Sequence, residues 1–390
     1  MTSKSYDVIV IGGGILGSTT AYYLKKHGVS KVLLVERGDV ASGGTGKSAA
    51  IVRSYYSIPV MARLAKEAVK LFHNLEDEIG VDGGFHPTGF TQLVPPDWVD
   101  KAIELVAMHQ ELGIDTDFVP SASWEENFPW LNLEGIGAIV FEKSSGYADP
   151  IQTTEGFVAA FQKLGGELRS RTPVRGLIRE DSKITGAILE NETISTGAIV
   201  NAAGPWATFL AKSADLELPI RAVREMDSIW EVQADRVLPT TPVSNPIEAA
   251  YMRPMGNGRW LLGRGYPKPY FDVDPYNYKE SADEEFVINI YEDWCQRIPA
   301  LQGSRMLNAY AALYDVTPDW IPFVGPRSDI DGYYDASGGS GHAFKTGPIF
   351  GRELAEWIVT NTVRDDFRQF SFDRLSKEKV FQQAFGGNRV

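Results

Sequence analysis

The sequence is poor in the residues that most often carry redox and metal chemistry. Its 390 residues include one cysteine, Cys295, and five histidines. A single cysteine excludes an internal disulfide and a Cys-x-x-Cys redox pair. The histidines show no spacing typical of metal ligands. Dithiol exchange is therefore excluded, and nothing in the pattern predicts a metal centre.

Positive charge and long apolar runs are also scarce. The formal net charge is −13 at pH 7, and no basic run would attract phosphate, which argues against nucleic acids and anionic membrane surfaces as partners. No apolar run approaches the roughly 20 residues of a transmembrane segment, and the chain enters its first predicted strand without a signal peptide. We expect a soluble, cytoplasmic protein that acts on a small molecule.

A glycine-rich turn near the amino terminus carries the most informative local pattern. The turn at 12–17 (GGGILG) follows a predicted buried strand at 7–11 and precedes a predicted helix at 18–27. A second predicted buried strand, at 31–35, ends in Glu36. This strand–turn–helix–strand–acid order is the context that distinguishes a dinucleotide site from a structural glycine turn.

Each residue of this motif has a physical role in binding a dinucleotide. Gly12 permits the tight turn, Gly14 lets a pyrophosphate approach the backbone, and Gly17 lets the helix lie close to the strand. The helix N-terminus offers free N–H groups to the phosphates. Glu36 follows about 20 residues later, where a carboxylate accepts hydrogen bonds from ribose hydroxyls.

Two further glycine-rich turns follow predicted strands far along the chain. The segment 197–206 ends in AAGPW, and the segment 337–348 leads into a helix predicted at 349–360. The loop 42–56 is rich in glycine, serine and threonine, so its backbone and hydroxyls suit a ligand. Predicted helices at 60–79, 97–112, 150–164 and 284–297 and a capping box at 123–126 lie between short predicted strands.

These motifs together carry a family resemblance. The turn GGGILG with Glu36, the loop 42–53, AAGPW at 202–206 and SGHAFKTGP at 340–348 resemble the D-amino-acid oxidase/sarcosine oxidase family of flavoproteins. The stretches TGKSAAIVRSYY (45–56) and LYDVTPDWIPFVG (313–325) are most similar to its sarcosine oxidase and dimethylglycine dehydrogenase branch, including β subunits of multi-subunit sarcosine oxidases.

The resemblance implies an α/β fold of two domains. We expect a glutathione-reductase-type FAD-binding Rossmann domain that is split in sequence, with an inserted substrate domain built on a mixed β-sheet. The expected ranges are 1–85, 146–218 and 321–390 for the FAD-binding domain and its C-terminal tail, and 86–145 and 219–320 for the substrate domain.

The resemblance and the glycine motifs together give a set of expected FAD-binding residues. They are Gly12, Gly14, Ile15, Leu16, Gly17, Glu36, Arg37, Ser42, Gly44, Thr45, Lys47, Ser48, Ala49, Ala50, Val174, Ala202, Ala203, Gly204, Trp206, Gly339, Gly341, His342, Ala343, Phe344 and Lys345. Because the loop 42–56 has neither histidine nor cysteine, and Tyr314 stands where monomeric sarcosine oxidases place the flavin-bonding cysteine, we expect FAD to be non-covalent.

The resemblance also implies the chemistry. Arg53 and Lys345 match the residues that bind the substrate carboxylate in sarcosine-type relatives, and a guanidinium fork beside an ammonium suits that task. The expected enzyme oxidises the C–N bond of a small amino acid or N-alkyl amino acid, by hydride transfer from a deprotonated amine to flavin N5. The imine product then hydrolyses. Tyr251, Arg253 and Tyr314 are further substrate-binding candidates, although Arg253 could equally be a plain charge at a strand end.

Several alternatives stay open at this stage. The substrate could be a D-amino acid, an opine or a 2-hydroxy acid, and the chain could be a flavin-binding subunit that is active only in a hetero-oligomer; a homo-oligomer is open too. An NAD-dependent dehydrogenase is disfavoured, because the later turns would have no role in one. Tyr55, His86 and Trp320 could line the pocket or simply pack in the core.

The electron acceptor is open as well. Oxygen-activating lysines of sarcosine oxidases have no counterpart in the segment 261–266, so Arg264 could substitute, or the acceptor could be an electron-transfer partner instead of oxygen. Ala343 replaces the usual glycine after His342.

Overall fold

The computed structural model describes residues 5–376 and residue 381. The outermost parts of the ranges expected at 1–85 and 321–390 lie outside the described residues. The described strands are β1 (Ser5–Ile11), β2 (Val32–Val35), β3 (Ile51–Val52), β4 (Phe85–His86), β5 (Phe90–Val94), β6 (Thr116–Phe118), β7 (Ala138–Glu142), β8 (Gly146–Ala148), β9 (Glu167–Arg169), β10 (Val174–Glu180), β11 (Lys183–Leu189), β12 (Thr193–Asn201), β13 (Arg221–Glu231), β14 (Val243–Asn245), β15 (Ala250–Pro254), β16 (Arg259–Arg264), β17 (Arg305–Val316), β18 (Phe323–Arg327) and β19 (Ile330–Ser337).

The described α-helices alternate with these strands along the chain. They are α1 (Ile15–Lys26), α2 (Pro59–His73), α3 (Leu75–Ile79), α4 (Val99–Glu111), α5 (Trp124–Asn127), α6 (Pro150–Lys163), α7 (Ala207–Lys212), α8 (Glu284–Arg297) and α9 (Ala343–Thr360). None of the helices in the described part of the chain has both the length and the apolar character needed to cross a bilayer.

The first large sheet explains why distant glycine-rich turns act together. Strands β9, β2, β1, β12 and β19 lie side by side and run parallel. Strands β10 and β18 extend the sheet with antiparallel pairings, and β11 pairs parallel with β19 and antiparallel with β12. The turns after β1, β12 and β19, and Glu36 after β2, therefore meet at one edge of this sheet. The carboxyl edge of a parallel sheet is where such folds bind nucleotides.

Both faces of this sheet are covered by apolar layers. Helix α1 packs against α6 and α9 on one face, where Phe157 and Phe350 are fully buried. On the other face, α7 and side chains of β10 and β11 form an apolar cluster with the fully buried Ile9 and Ile199. Burying each such side chain contributes about 1.5–3 kcal/mol. The apolar run at the end of β1 (8–11) and throughout β2 is thus the signature of strands buried on both faces.

The second large sheet is mixed. Its order is β17-β13-β16-β15-β14-β5-β7-β6, with antiparallel neighbours except for the parallel pair β14 and β5. Helix α8 covers one face, with the fully buried Trp294 in the apolar cluster between them. A small sheet of β3, β8 and β4 lies beside these two. The expected α/β architecture with a mixed second sheet is confirmed, while the boundaries between the two parts remain a prediction.

Local signals placed most helices correctly. Asp149 caps α6, and its Oδ1 accepts hydrogen bonds from the amides of Ile151 at 2.9 Å and Gln152 at 3.0 Å. Two details were wrong. The helix expected at 60–79 is divided at Asn74 into α2 and α3, and the capping box at 123–126 does not form, because the Ser123 hydroxyl donates to the Pro120 carbonyl instead.

Helix α9 starts earlier than predicted. Pro348 was taken as the end of the glycine-rich turn, but it lies inside a helix that begins at Ala343. Proline removes one backbone donor and strains a helix interior, so this position costs stability. The early start places the amide groups of Ala343, Phe344 and Lys345 at the helix N-terminus, beside the turn that follows β19.

Candidate active site

A cavity of about 830 Å³ opens at the carboxyl edge of the first sheet and extends to the face of the second. Its walls come from the turns after β1, β12 and β19, from the loop 41–50, and from β13, β15 and β17 of the second sheet. The two sheets thus contribute to one site. Most of the residues expected to bind a ligand lie in these walls.

The glycines of the first turn are required by close packing. Gly12 has φ of +114°, a conformation that residues with a Cβ rarely adopt. A Cβ on Gly12 would collide with the Ala202 carbonyl, and one on Gly17 would collide with the Gly12 carbonyl. Gly17 does not line the cavity; its contribution is to bring α1 onto β1.

Glu36 is held in place by backbone donors. Its Oε2 accepts a hydrogen bond from the Gly13 amide and its Oε1 accepts one from the Gly38 amide, each at 2.7 Å. The carboxylate lines the cavity at the end of β2. A carboxylate fixed in this way is pre-organised to accept further hydrogen bonds from a ribose.

The loop 41–50 closes over the N-terminus of α1. Thr45 Oγ1 accepts a hydrogen bond from the Ile15 amide at 3.1 Å, and a Cβ on Gly14 would stand 3.0 Å from the same oxygen. The Lys47 ammonium donates to Glu280 at 2.9 Å and to the Ala311 carbonyl at 3.2 Å. Lys47 therefore ties this loop to the second sheet.

Arg37 and Trp206 form another part of the wall. The Arg37 guanidinium stacks 3.6 Å from the centroid of the Trp206 ring. Within the described residues, the buried Trp206 Nε1 has no hydrogen-bond partner. A buried indole donor without a partner is costly unless a ligand supplies an acceptor. This orphaned donor and the glycine cradle both fit a bound dinucleotide.

The expected cofactor residues come together with one exception. All of them except Gly17 line the cavity: Gly12, Gly14, Ile15, Leu16, Glu36, Arg37, Ser42, Gly44, Thr45, Lys47, Ser48, Ala49, Ala50, Val174, Ala202, Ala203, Gly204, Trp206, Gly339, Gly341, His342, Ala343, Phe344 and Lys345. Their individual roles in binding remain predictions.

Arg53 and Lys345 meet at the ring of Tyr56. The Arg53 guanidinium lies 4.9 Å and the Lys345 Nζ 5.6 Å from the centroid of that ring, and both cations line the cavity. Arg53 donates to the Tyr55 carbonyl. Among the described residues, neither cation forms an ion pair with a carboxylate, and Lys345 Nζ has no hydrogen-bond acceptor. Two cations without carboxylate partners among the described residues, both in the wall of one cavity, are chemically suited to an anion.

The charge of Lys345 is costly in the free protein. The residue is 7% exposed, and burial together with the neighbouring Arg53 charge holds the pKa of its ammonium well below its usual value. An anion placed against it would favour the charged form and raise this pKa again.

A buried hydrogen-bond network fixes the backbone that carries Arg53. The Ser54 amide donates to the Glu142 carboxylate at 3.0 Å, and the His109 ring is 2.9 Å from the Tyr56 carbonyl. Burial lowers the pKa of His109 to about 4, so the imidazole is neutral at physiological pH. Sequence patterns gave no indication of this support.

Tyr251 and Tyr314 line the cavity, whereas Arg253 lies outside its walls. A Cβ on Gly341 would stand 2.6 Å from the Tyr314 ring, so this ring packs directly on the backbone of the turn after β19. Arg253 is 5% exposed and stacks 5.0 Å from the Tyr147 ring centroid. Its expected role toward substrate stays a prediction.

The other aromatic candidates divide into two groups. Tyr55 lines the cavity. His86 stacks on Tyr147 at 4.8 Å, and Trp320 packs against Tyr270 at 4.7 Å; neither lines the cavity.

Four acidic residues in the walls were missed: Glu225, Asp227, Asp315 and Glu280, the partner of Lys47. Asp315, at the end of β17, accepts a hydrogen bond from the Gly338 amide at 2.8 Å and thereby holds the last glycine-rich turn. Glu225 and Asp227 lie on β13 and face the cavity. Their alternation along β13 is a strand signal, but the sequence does not say which face of a strand meets a ligand.

Arg264, which we expected could substitute for an oxygen-activating lysine, already has a carboxylate partner, and a lysine lies close by in the sequence. Arg264 lines the cavity, but its guanidinium pairs with Asp293 at 2.6 Å. Lys268, just beyond the segment 261–266, has a largely buried side chain; it forms an ion pair with Glu225 and donates to the Arg264 carbonyl at 2.8 Å. A lysine is therefore paired with a wall residue, Glu225, but does not itself line the cavity.

The described residues contain no cluster of histidine, cysteine and carboxylate side chains suited to a metal ion. Cys295 is buried in α8, within the apolar cluster of the second sheet, and does not line the cavity.

Comparison with known proteins agrees with this geometry. The model of the family DAO, described as FAD dependent oxidoreductase, matches residues 7–357. The solved structure of L-proline dehydrogenase from P. horikoshii superposes with a TM-score of 0.87 at 26% identity, covering 96% of this chain and 99% of that one.

Two curated relatives show similar coverage of this chain. Sarcosine oxidase subunit beta from Arthrobacter sp is 25% identical over 95% of this chain and 91% of its own length. The 4-methylaminobutanoate oxidase (formaldehyde-forming) of Paenarthrobacter nicotinovorans is 25% identical over 96% of this chain, which spans only 47% of that longer protein.

Proposed function

Because the chain belongs to the DAO family of FAD-dependent oxidoreductases, we propose that it oxidises the C–N bond of a small amino acid that carries a secondary amine. The observation that supports this most strongly is the pair of unpaired cations, Arg53 and Lys345, in the wall of the nucleotide cavity.

The cofactor is FAD, as the family establishes. We assign its dinucleotide part to the turn after β1, to Glu36 and to the Arg37–Trp206 pair, which offer backbone donors, a fixed carboxylate and a free indole N–H. When bound, FAD supplies an acceptor for a hydride. The cavity residues that we describe next act on the substrate. Non-covalent attachment stays a prediction.

Arg53 and Lys345 bind the substrate carboxylate. Charge-assisted hydrogen bonds from a guanidinium and an ammonium fix both the position and the orientation of the group. Fixing the carboxylate orients the neighbouring C–N bond, and the surrounding walls of Tyr251 and Tyr314 exclude water. The oxidised amine leaves as an imine, which water hydrolyses to a carbonyl compound and an amine.

The relatives favour a secondary amine. Sarcosine, L-proline and 4-methylaminobutanoate, after which these proteins are named, are secondary amines that carry a carboxylate. The wall also favours an amine over a 2-hydroxy acid, because the Asp227 carboxylate, which has no ion-pair partner among the described residues, attracts an ammonium by charge, whereas with a hydroxyl it forms a hydrogen bond alone.

The electron acceptor is oxygen or an electron-transfer partner. A hetero-oligomer is the second candidate for the working form, since sarcosine oxidase subunit beta, by its name, is one component of a larger protein. The single chain then binds FAD but requires a partner for full turnover.

Steady-state turnover of the purified chain tests the proposal. Sarcosine, L-proline, 4-methylaminobutanoate, D-alanine and lactate are supplied separately, with oxygen or with an artificial electron-accepting dye. We expect a secondary amine to give the highest turnover per KM, with the imine-derived carbonyl compound as product. Turnover of lactate but of no amine would contradict the proposal. Hydrogen peroxide formation reports whether oxygen is the acceptor.

A further inference from the structure

One carboxylate in the cavity wall is not explained by FAD or by the substrate carboxylate. Asp227, Gly263 and Tyr251 stand opposite one another on the adjacent strands β13, β16 and β15. The Tyr251 hydroxyl donates a hydrogen bond to Asp227 Oδ1 at 2.7 Å, across the glycine between them. Asp227 and Tyr251 both line the cavity.

Gly263 creates the space in which this pair forms. A Cβ at this position would collide with Asp227 Oδ1 and with the Tyr251 ring and hydroxyl. Glycine in the middle of a strand lowers sheet stability and commonly marks a close approach. Here the approaching groups are the two polar side chains themselves.

Asp227 lacks a cationic partner of its own. It is 5% exposed. Among the described residues, the Tyr251 hydroxyl is its hydrogen-bond donor, and no lysine or arginine forms an ion pair with it. The neighbouring Glu225, by contrast, is paired with Lys268. Burial raises the pKa of the Asp227 carboxyl to about 7, so it changes charge near neutral pH.

The other groups that act on Asp227 come from every strand packed around it. They are Glu225 on its own strand, Lys268 after β16, Tyr251 and Arg253 on β15, and Tyr310 and Tyr314 on β17. The pKa values of Tyr251, Tyr310 and Tyr314 are raised by burial, so these hydroxyls stay neutral. Burial also raises the pKa of Glu225, but the ion pair with Lys268 opposes that shift, whereas Asp227 has no ion-pair partner among the described residues.

We propose that Asp227, oriented by Tyr251, binds the ammonium group of a zwitterionic amino-acid substrate and takes up its proton. The inference rests on the proposed function. One N–H bond of the ammonium breaks, one O–H bond forms on the Asp227 carboxylate, and the amine keeps the electron pair. No proton has to leave the cavity, and no oxidant enters this step.

The cavity favours this transfer over a persistent ion pair. A buried ammonium and a buried carboxylate both lose hydration, whereas the neutral amine and carboxylic acid lose much less. The cavity wall also carries both kinds of charge that a zwitterion requires, with cations at Arg53 and Lys345 and a carboxylate at Asp227. The zwitterion is the abundant form of an amino acid in water, so the enzyme captures it directly.

Asp227→Asn tests the proposal through the pH dependence of flavin reduction. The holoenzyme and each variant are mixed, without air, with the amino acid that reduces the flavin, and the reduction rate constant divided by Kd is recorded from pH 6 to 10. In the wild type we expect this ratio to contain a limb that rises through about pH 7 as Asp227 loses its proton. The fall in affinity that Lys345 imposes at higher pH is shared by wild type and variant, so it cancels when the two are compared. A secondary ammonium has a pKa of about 10, near that of lysine, so about one molecule in 100 is neutral at pH 8.

Without the Asp227 carboxylate, the Asp227→Asn variant can oxidise only substrate molecules whose amine is already neutral in solution. We expect Asp227→Asn to be about 100-fold slower than the wild type at pH 8 and to approach it near pH 10, which a merely structural loss would not do. Glu231→Gln is the matched control, because Glu231 lies on the same strand and pairs with Arg305 at the surface. It should keep the wild-type profile.

A proton count supplies a readout that does not depend on turnover. The same amino acid is titrated calorimetrically into the dithionite-reduced holoenzyme at pH 8, in buffers that differ in ionisation enthalpy. Asp227→Asn should release about one proton more per ligand bound than the wild type. If Asp227→Asn does not retain FAD, Tyr251→Phe serves instead: loss of the donor raises the pKa of Asp227 and moves its profile to higher pH.

The outcomes distinguish a failure of the proposed function from a failure of the role proposed for Asp227. If no amino acid reduces the wild-type flavin at any pH, the proposed function fails. If amino acids reduce the wild type and Asp227→Asn with the same pH profile, or the proton counts agree, the proposed function stands and the role of Asp227 is refuted.

Discussion

Removal of the Lys345 charge should weaken carboxylate binding while leaving FAD in place. Lys345→Met keeps the length of the side chain but removes the ammonium that, with Arg53, faces the cavity. A hydrogen bond to a charged group is worth about 1.5–3 kcal/mol, and about 1.4 kcal/mol corresponds to a tenfold change in affinity. We therefore expect Kd for a carboxylate ligand to rise about 10- to 150-fold.

The assay is a titration of the holoenzyme with methoxyacetate, which carries the carboxylate but no amine, followed by the change in flavin absorbance. Arg53→Met should cause a loss of similar size. Arg264→Gln is the control: this arginine also lines the cavity, but its charge is already paired with Asp293. If both Lys345→Met and Arg53→Met change Kd less than threefold, the carboxylate site lies elsewhere.

The same titration has a pH dependence whose sign follows from Lys345. Burial and Arg53 hold the pKa of the free ammonium well below its usual value, and a bound carboxylate raises it. Binding therefore takes up a proton at pH values between the lowered pKa of Lys345 in the free enzyme and its raised pKa in the complex. Affinity should fall as the pH rises from that value toward the ordinary lysine range, and Lys345→Met should abolish this dependence. An unchanged slope in the variant would refute the assignment.

Three further predictions concern the scaffold. Gly17→Ala places a Cβ against the Gly12 carbonyl, so we expect loss of bound FAD and a lower Tm; a variant with full FAD content would contradict the packing argument. Glu36→Gln removes a charged acceptor, so apoprotein titration should show FAD affinity about 10- to 150-fold weaker. Asp319→Asn leaves the buried Arg374 without the counter-ion that it contacts at 2.8 Å. Urea unfolding should therefore show a free energy of unfolding lower by about 3–5 kcal/mol, and a decrease of less than about 1 kcal/mol would refute this prediction.

The parts that the sequence predicted best are those set by local chemistry. The turn after β1 needs glycine at positions 12 and 17 for steric reasons that hold wherever this motif occurs, and Glu36 follows the next strand directly. Asp149 before Pro150 is likewise a local helix signal. The parallel strand order then brings the three glycine-rich turns to one edge, which explains why widely separated motifs form one site.

The parts that were missed depend on contacts between distant strands. The Asp227–Tyr251 pair requires the register of β13, β16 and β15, with Gly263 between the two side chains. No single stretch of sequence contains that information. The early start of α9 was missed because Pro348 was taken as a boundary, although tertiary packing keeps it inside the helix.

The central claim is that FAD in this cavity oxidises an amino acid bound through Arg53 and Lys345. The most direct measurement is the absorbance spectrum of the purified chain, recorded without air before and after the addition of sarcosine, L-proline or 4-methylaminobutanoate. The account predicts oxidised-flavin bands that bleach with at least one of these amines, and that bleach far more slowly at subsaturating amine in Lys345→Met. A chain that takes up no FAD, or a flavin that no amino acid bleaches, would contradict it.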